Sequence, residues 1–253
     1  MENLVTKLHE QIILAIKRTL VPQKVGIAFS GGVDSSLLAK VCSDLGFEIT
    51  LLTIGFEHSH DIDFSRKIAA DLGLRHITLV ISEKSFPETA KEIRAQIGTD
   101  NLSWNENCIA FRYVSQLAQE NGIENVLTSN GIDELFCGYN AYRDVVEDGK
   151  EAVLNLMDSK IDNEVRMMRA VNQVASNFGV AILQPLLSEE FIKFAKPLPL
   201  EMKIKDKNDL MRKHIIRELA LSVGVPPESA LKKKKALQYG SLIHKNLMKL
   251  RKT

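Results

Sequence analysis

The chain has 253 residues, of which 45% are hydrophobic and 26% charged, with a formal net charge of +1. These values exclude a disordered chain and give no overall sign of a nucleic-acid binder, and no apolar run is long enough to cross a membrane. Three cysteines without a C-x-x-C motif argue against a disulfide framework or zinc site, and with no signal peptide at Met1 they favour a cytoplasmic protein.

The first predicted elements are a helix over residues 3–20, an apolar strand from Val25 to Phe29, and a helix that starts after Ser30-Gly31-Gly32. The first N–H groups of a helix have no internal partners, and glycines let a ligand approach the backbone closely. The turn therefore predicts a phosphate site. Asp34 would repel a bare phosphate, so its presence predicts a Mg²⁺ ion between the two.

The turn Ser-Gly-Gly-Val-Asp-Ser-Ser lacks the Gly-Lys-Ser/Thr ending of a Walker loop. It resembles the loop of the ATP pyrophosphatase (PP-loop) superfamily, whose members bind the pyrophosphate half of ATP and transfer AMP to an acceptor. By this resemblance ATP is the expected cofactor.

Strands and helices alternate along the next hundred residues. This alternation predicts a parallel α/β sheet whose ligands sit at the carboxyl ends of the strands. Trp104 is placed in a loop with three neighbouring asparagines. The predicted strands are 47–56, 75–81 and 124–129, and the predicted helices are 61–72, 86–97 and 108–121.

The fourth predicted strand closes on a second turn, Thr128-Ser129-Asn130-Gly131, followed by an acidic helix start. A carboxylate here, near Asp34, would complete a Mg²⁺ site, so Asp133 is the second predicted ligand. Glu134 is expected to stabilise local structure instead.

The two turns together, with Asp-Glu-Leu-Phe-x-Gly-Tyr after the second, resemble the synthetase domain of asparagine synthetase. Later matches are weaker but occur in order: Pro185-Leu186-Leu187, then Lys213 with Arg217, then Lys234 to Gly240. The resemblance covers residues 21–240. In that family the two aspartates bind Mg²⁺ and the late-loop lysine contacts phosphates, which implies Asp34, Asp133 and Lys234 as the catalytic set.

The resemblance implies a Rossmann-like, five-stranded type of parallel sheet with helices on both faces and a helical C-terminal extension. The expected division is an N-terminal helix (1–20), an ATP-binding core (21–149) and a mostly helical part that completes the site (150–253). The residues expected to contact ATP are Phe29, Ser30, Gly31, Gly32, Asp34, Ser35, Ser36, Ile54, Thr128, Ser129 and Gly131.

The implied reaction has two steps: a carboxylate attacks ATP to give an acyl-adenylate and pyrophosphate, and ammonia then displaces AMP. The family's glutaminase start is absent, so ammonia or a separate glutaminase subunit is the expected nitrogen source. The family's glutamate in Ser-Gly-Glu-Gly is Asn130 here, and its Glu and Arg after Gly-Val are Ala181 and Leu183. The acceptor carboxylate therefore stays open, with aspartate as one candidate, and a homodimer is one candidate assembly.

Two alternatives remain. The chain after residue 195 has fifteen Lys and Arg against five Asp and Glu, which would suit a PP-loop enzyme that modifies tRNA, with Cys108 or Cys137 as a sulfur carrier. Nucleic acid is the less favoured partner, because no RNA-binding module is evident. The second alternative is an ATP-binding subunit with weak catalysis.

Overall fold

The computed structural model of the chain describes residues 2–19, 24–232 and 237–251. Five strands form one sheet, and helices precede, connect and follow them. The strands are β1 (Lys24–Ala28), β2 (Glu48–Gly55), β3 (Arg75–Val80), β4 (Asn125–Leu127) and β5 (Ala181–Leu183). The helices are α1 (Glu2–Thr19), α2 (Val33–Asp44), α3 (His60–Asp71), α4 (Phe86–Ile97), α5 (Leu102–Glu120), α6 (Ile132–Leu135), α7 (Ala141–Val145), α8 (Lys150–Ala175), α9 (Glu189–Ala195), α10 (His214–Ser222), α11 (Pro227–Ala230), α12 (Leu237–Gly240) and α13 (Ile243–Leu250).

The sheet is parallel throughout, with the strand order β3-β2-β1-β4-β5. The chain runs outward from β1 to β3 and then returns to the other side of β1 with β4. The order reverses between β1 and β4, and ligands of open α/β sheets bind outside the strand ends at such a point. The predicted parallel, Rossmann-like sheet is confirmed.

Apolar side chains leave the sheet on both faces. Val25 and Ile27 of β1 pack into a core with α1, α2, α9 and α10, while Leu52 and Ile54 of β2 belong to a second core with α4, α5, α8 and α13. Gly26 points toward this second core, where a Cβ would lie 2.8 Å from Leu52 Cδ1. Helices therefore cover both faces, as predicted.

Strand β5 lies inside the segment that was expected to be mostly helical. It has only three residues and pairs with β4 in the register Asn125↔Ala181. The strand is also held by Asn172 of α8, whose side chain accepts the Ile182 N–H and donates to the Ile182 carbonyl. The C-terminal part thus supplies one edge of the sheet.

The loop predicted around Trp104 is wrong. Asn101 caps α5 by accepting the Trp104 N–H with its side chain, so the helix starts six residues before the predicted Cys108. Asparagine is a favoured N-cap, which is why the asparagine-rich stretch begins a helix. The Trp104 indole N–H donates to Asn163 Oδ1 and ties α5 to α8 at 3.1 Å.

Among the helices that the structure describes, none combines the length and apolarity needed to cross a bilayer.

Candidate active site

The turn after β1 has the geometry of an anion site. Gly31 has φ +74°, a conformation that side chains rarely adopt, and a Cβ there would meet Ser65 Cα at 3.1 Å. The Ser35 hydroxyl closes the turn by donating to the Gly32 carbonyl at 3.2 Å. Helix α2 starts directly afterwards at Val33, so its N-terminal N–H groups and partial positive charge face the end of β1.

The turn after β4 is equally constrained. Gly131 has φ +107°, and a Cβ would lie 2.4 Å from the Leu186 carbonyl oxygen. The Glu134 carboxylate accepts the Gly131 N–H at 2.9 Å and also the Tyr139 hydroxyl. Burial, followed by the nearby carboxylates, raises the pKa of Tyr139 well above its usual value, so this hydroxyl keeps its proton. The expected structural role of Glu134 is confirmed.

Asp34 and Asp133 meet at a single lysine. Lys213 Nζ lies 2.5 Å from Asp34 Oδ2 and 2.6 Å from Asp133 Oδ1, and the lysine side chain is 1% exposed. Burial alone would lower the pKa of Lys213, but the two carboxylates outweigh burial and raise it above the ordinary value. The site therefore contains a buried ammonium held between two anions.

The backbone around this lysine is built to place it. Arg212 and Lys213 have φ 44° and 55°, two left-handed residues in succession at the start of α10. Asp209 holds this bend: one carboxylate oxygen accepts the Met211 and Arg212 N–H groups at 3.0 Å, and the other lies 2.6 Å from His214 Nε2.

Gly138 leaves the space that Lys213 fills. A Cβ at this position would lie 1.7 Å from Asp133 Oδ1 and 2.6 Å from Lys213 Cε. In the sequence, Gly138 and Lys213 stand out only as matches to a family pattern. Their roles become visible only in three dimensions, because residue 34, residues 133 and 138, and residue 213 come from three distant segments of the chain.

Asp34, Asp133 and Lys213 border one cavity of about 250 Å³. Most of the predicted ATP-contacting residues line it. Of those the structure describes, Gly31, Ser36 and Gly131 lie outside the lining, and the Ser36 hydroxyl accepts a hydrogen bond from Ser229 instead. The predicted residues in the lining are Phe29, Ser30, Gly32, Asp34, Ser35, Ile54, Thr128, Ser129 and Asp133.

Helix α8 forms a wall that the sequence did not reveal. Lys160, Asn163, Glu164 and Met167 lie at helical spacing and all border the cavity. Glu164 is only 5% exposed, and the Asn130 side-chain amide donates to its Oε1. The loop asparagine is therefore paired with a carboxylate from a helix 34 positions later.

The predicted catalytic residue Lys234 lies outside the described residues. Lys232, just before it, does border the cavity. Its Nζ lies 2.8 Å from His60 Nε2 and 3.0 Å from the centre of the Phe64 ring.

Neither Cys108 nor Cys137 is suited to act as a nucleophile. Cys108 and Cys137 are both 0% exposed, and burial raises the pKa of each thiol to about 12. A thiolate is the reactive form of cysteine. Their burial disfavours the role of sulfur carrier that the tRNA-modification alternative required.

The family model described as asparagine synthase matches residues 7–166 of this chain. A protein of Methanocaldococcus jannaschii described as putative asparagine synthetase [glutamine-hydrolyzing] 1 is 31% identical over 94% of this chain and 49% of its own length. Asparagine synthetase of Homo sapiens is 26% identical over 85% of this chain and 39% of its own length. The chain thus spans half or less of the curated relatives it matches.

Among solved structures, NMN synthetase from Francisella tularensis aligns with a TM-score of 0.49 at 15% identity. The alignment covers 94% of this chain and 76% of that one.

Proposed function

The chain belongs to the asparagine synthase family, and on that premise we propose that it is an ATP-dependent ligase that forms an amide. A carboxylate attacks the α-phosphorus of ATP, which breaks the bond to pyrophosphate and gives an acyl-adenylate. Ammonia then attacks the acyl carbon and displaces AMP. The observation that carries the proposal is the convergence of Asp34 and Asp133, from the two turns at the β1–β4 switch point, on one buried cation.

The charges around the cavity indicate where the phosphates of ATP would bind. The N-terminus of α2 and the Ser30–Gly32 turn attract the phosphates. Lys213 adds a full positive charge at the same place, where negative charge moves onto the leaving pyrophosphate. Lys234 remains the predicted further phosphate contact.

The carboxylate pair suits a Mg²⁺ ion. Asp34 and Asp133 come together beside the phosphate turn, and each has a carboxylate oxygen within 2.6 Å of Lys213 Nζ. In the described ranges no cluster of three or more His, Cys, Asp or Glu side chains could hold a metal. Mg²⁺ needs only one or two carboxylates, because phosphate oxygens and water complete its shell. When bound with ATP, it would neutralise phosphate charge.

The remaining assignments are parts of the same proposal. We take ammonia, released in solution or by a glutaminase, as the nitrogen source, and aspartate as the first acceptor to test. The three-part division of the chain at residues 20 and 149 is likewise proposed, with the second and third parts sharing the cavity.

Carboxylate-dependent exchange of labelled pyrophosphate into ATP tests the first step. Purified protein with Mg²⁺ is screened against a panel of carboxylic acids that includes aspartate, and AMP and amide are then measured after ammonium is added. Exchange with at least one acid, followed by ammonium-dependent amide, is the expected result. Calorimetry that detects no nucleotide binding, or no exchange with any acid, would overturn the proposal.

A further inference from the structure

Glu164 brings a buried negative charge to the α8 wall of the cavity. It faces the loop after β4, where Asn130 donates to it through Nδ2. The Asn130 amide is itself oriented, because the Thr128 hydroxyl donates to its Oδ1. With the oxygen held by Thr128, the NH₂ group is directed at Glu164. The loop and the helix therefore fix this carboxylate in place.

An amide donor favours the ionised form of a carboxyl group. A phosphate would be repelled by that charge, so Glu164 does not suit the phosphate end of the nucleotide. Its position on a cavity wall instead suits a cationic group, since a partly desolvated anion attracts an opposite charge strongly.

Other polar groups that border the cavity indicate the kind of cation. Asn163 on α8 and Ser103 and Asn107 on α5 border the same cavity. They are neutral groups that accept hydrogen bonds, and a primary ammonium has three N–H donors to distribute. Lys160 lies one helical turn before Glu164 on the same face, so the wall carries one charge of each sign.

We propose that Glu164 binds a primary ammonium group on the α8 wall of the cavity. That group belongs either to an ammonium ion, which loses a proton to give the attacking ammonia, or to an amino group on the acceptor carboxylate. The inference rests on the proposed ligase activity and adds the residue that recognises a positively charged substrate.

The test compares Glu164→Gln with wild type in the two half-reactions. Pyrophosphate exchange needs no ammonium and gives the KM for the acceptor carboxylate. Amide formation at saturating acceptor gives the KM for ammonium. The KM for one of these two substrates should rise about tenfold or more, because the ammonium group loses its negatively charged partner. The KM for ATP should stay within about twofold. The substrate whose KM rises identifies the source of the ammonium group.

Two further variants sharpen the comparison. Glu151→Gln, an exposed change near the start of the same helix, is the matched control and should leave every KM unaltered. The double variant Asn130→Asp with Glu164→Gln exchanges the amide and the carboxylate across the same hydrogen bond. It should recover most of the lost affinity, because the negative charge stays at the same junction.

Wild-type protein provides a measurement that does not depend on how the variants fold. Either the deamino analogue of the acceptor supports exchange about tenfold less well, or methylammonium competes with ammonium in amide formation. The inference is overturned if neither holds, or if folded Glu164→Gln keeps wild-type KM values for both substrates. Absence of exchange in wild type would instead defeat the proposed function, and this inference with it.

Discussion

At the scale of single residues, Lys213 allows the Asp34 and Asp133 carboxylates to lie close together. Two carboxylates that share a site repel, and the buried ammonium between them removes that repulsion. The neighbouring Gly138 is required for the same reason, since its missing Cβ is the space that Asp133 and Lys213 occupy.

Lys213→Met should lower the free energy of unfolding by about 3 kcal/mol, because it leaves two anions facing each other without their cation. Mg²⁺ should restore part of that loss and stabilise the variant more than wild type, since the ion would take over the neutralising charge. Thermal melts with Mg²⁺ and with a chelator measure both effects. Lys205→Met, at an exposed position, is the matched control. Equal Mg²⁺ responses in variant and wild type would contradict this placement.

Glu164 and Lys213 also show what sequence can reveal at this scale. Glycines and acidic residues beside strand ends predict Asp34 and Asp133 as Mg²⁺ ligands, because local patterns place both residues at helix starts. Lys213, the partner of both aspartates, lies 80 positions after Asp133, and Glu164, the partner of Asn130, lies 34 positions after that residue. No local pattern connects these pairs.

At the scale of elements, residues 205–212, just before α10, hold Lys213 in position, and this segment is called the bracket below. Asp209 accepts backbone N–H groups from Lys205, Met211 and Arg212 and is paired with His214. Burial would raise the pKa of Asp209, but these hydrogen bonds and His214 outweigh it and lower the pKa to about 2. The bracket therefore depends on an ionised carboxylate.

The stabilisation from Asp209 should be complete above its ordinary pKa of 3.8 and should disappear as the pH falls toward 2. A shift of this size corresponds to about 2 kcal/mol. Asp209→Asn should therefore unfold more easily than wild type at pH 6, and the difference should shrink at pH 3. Urea denaturation at both pH values measures it. An equal difference at the two pH values would refute the role given to the charge.

Elements with strong local patterns were predictable, and those stabilised by distant contacts were not. Helix α4 was predicted at 86–97 and observed there, because Pro87 and Gly98 mark its ends. Strand β5 has three residues and no alternating pattern, so only its pairing with β4 and the Asn172 clamp define it. The start of α5 differs from the predicted one because asparagines favour loops as well as N-caps.

At the scale of the whole molecule, the strand order brings two turns 99 positions apart to one cation site. Asp34→Asn and Asp133→Asn should each weaken binding of an ATP analogue with Mg²⁺ about tenfold or more, since each removes one anion from the shared site. Because the two residues act as a unit, the double variant should lose less than the sum of the single losses. Calorimetry on all four proteins measures the coupling. Strictly additive losses would mean that the two aspartates act at separate sites.

Asp34 and Lys213 are 179 positions apart, so the ribosome synthesises them at different times. Both aspartates are synthesised well before Lys213, whose ammonium group neutralises them. A nascent chain that ends before residue 213 therefore lacks the cation that lies between these two carboxylates. The nucleotide site that we propose is therefore complete only late in synthesis.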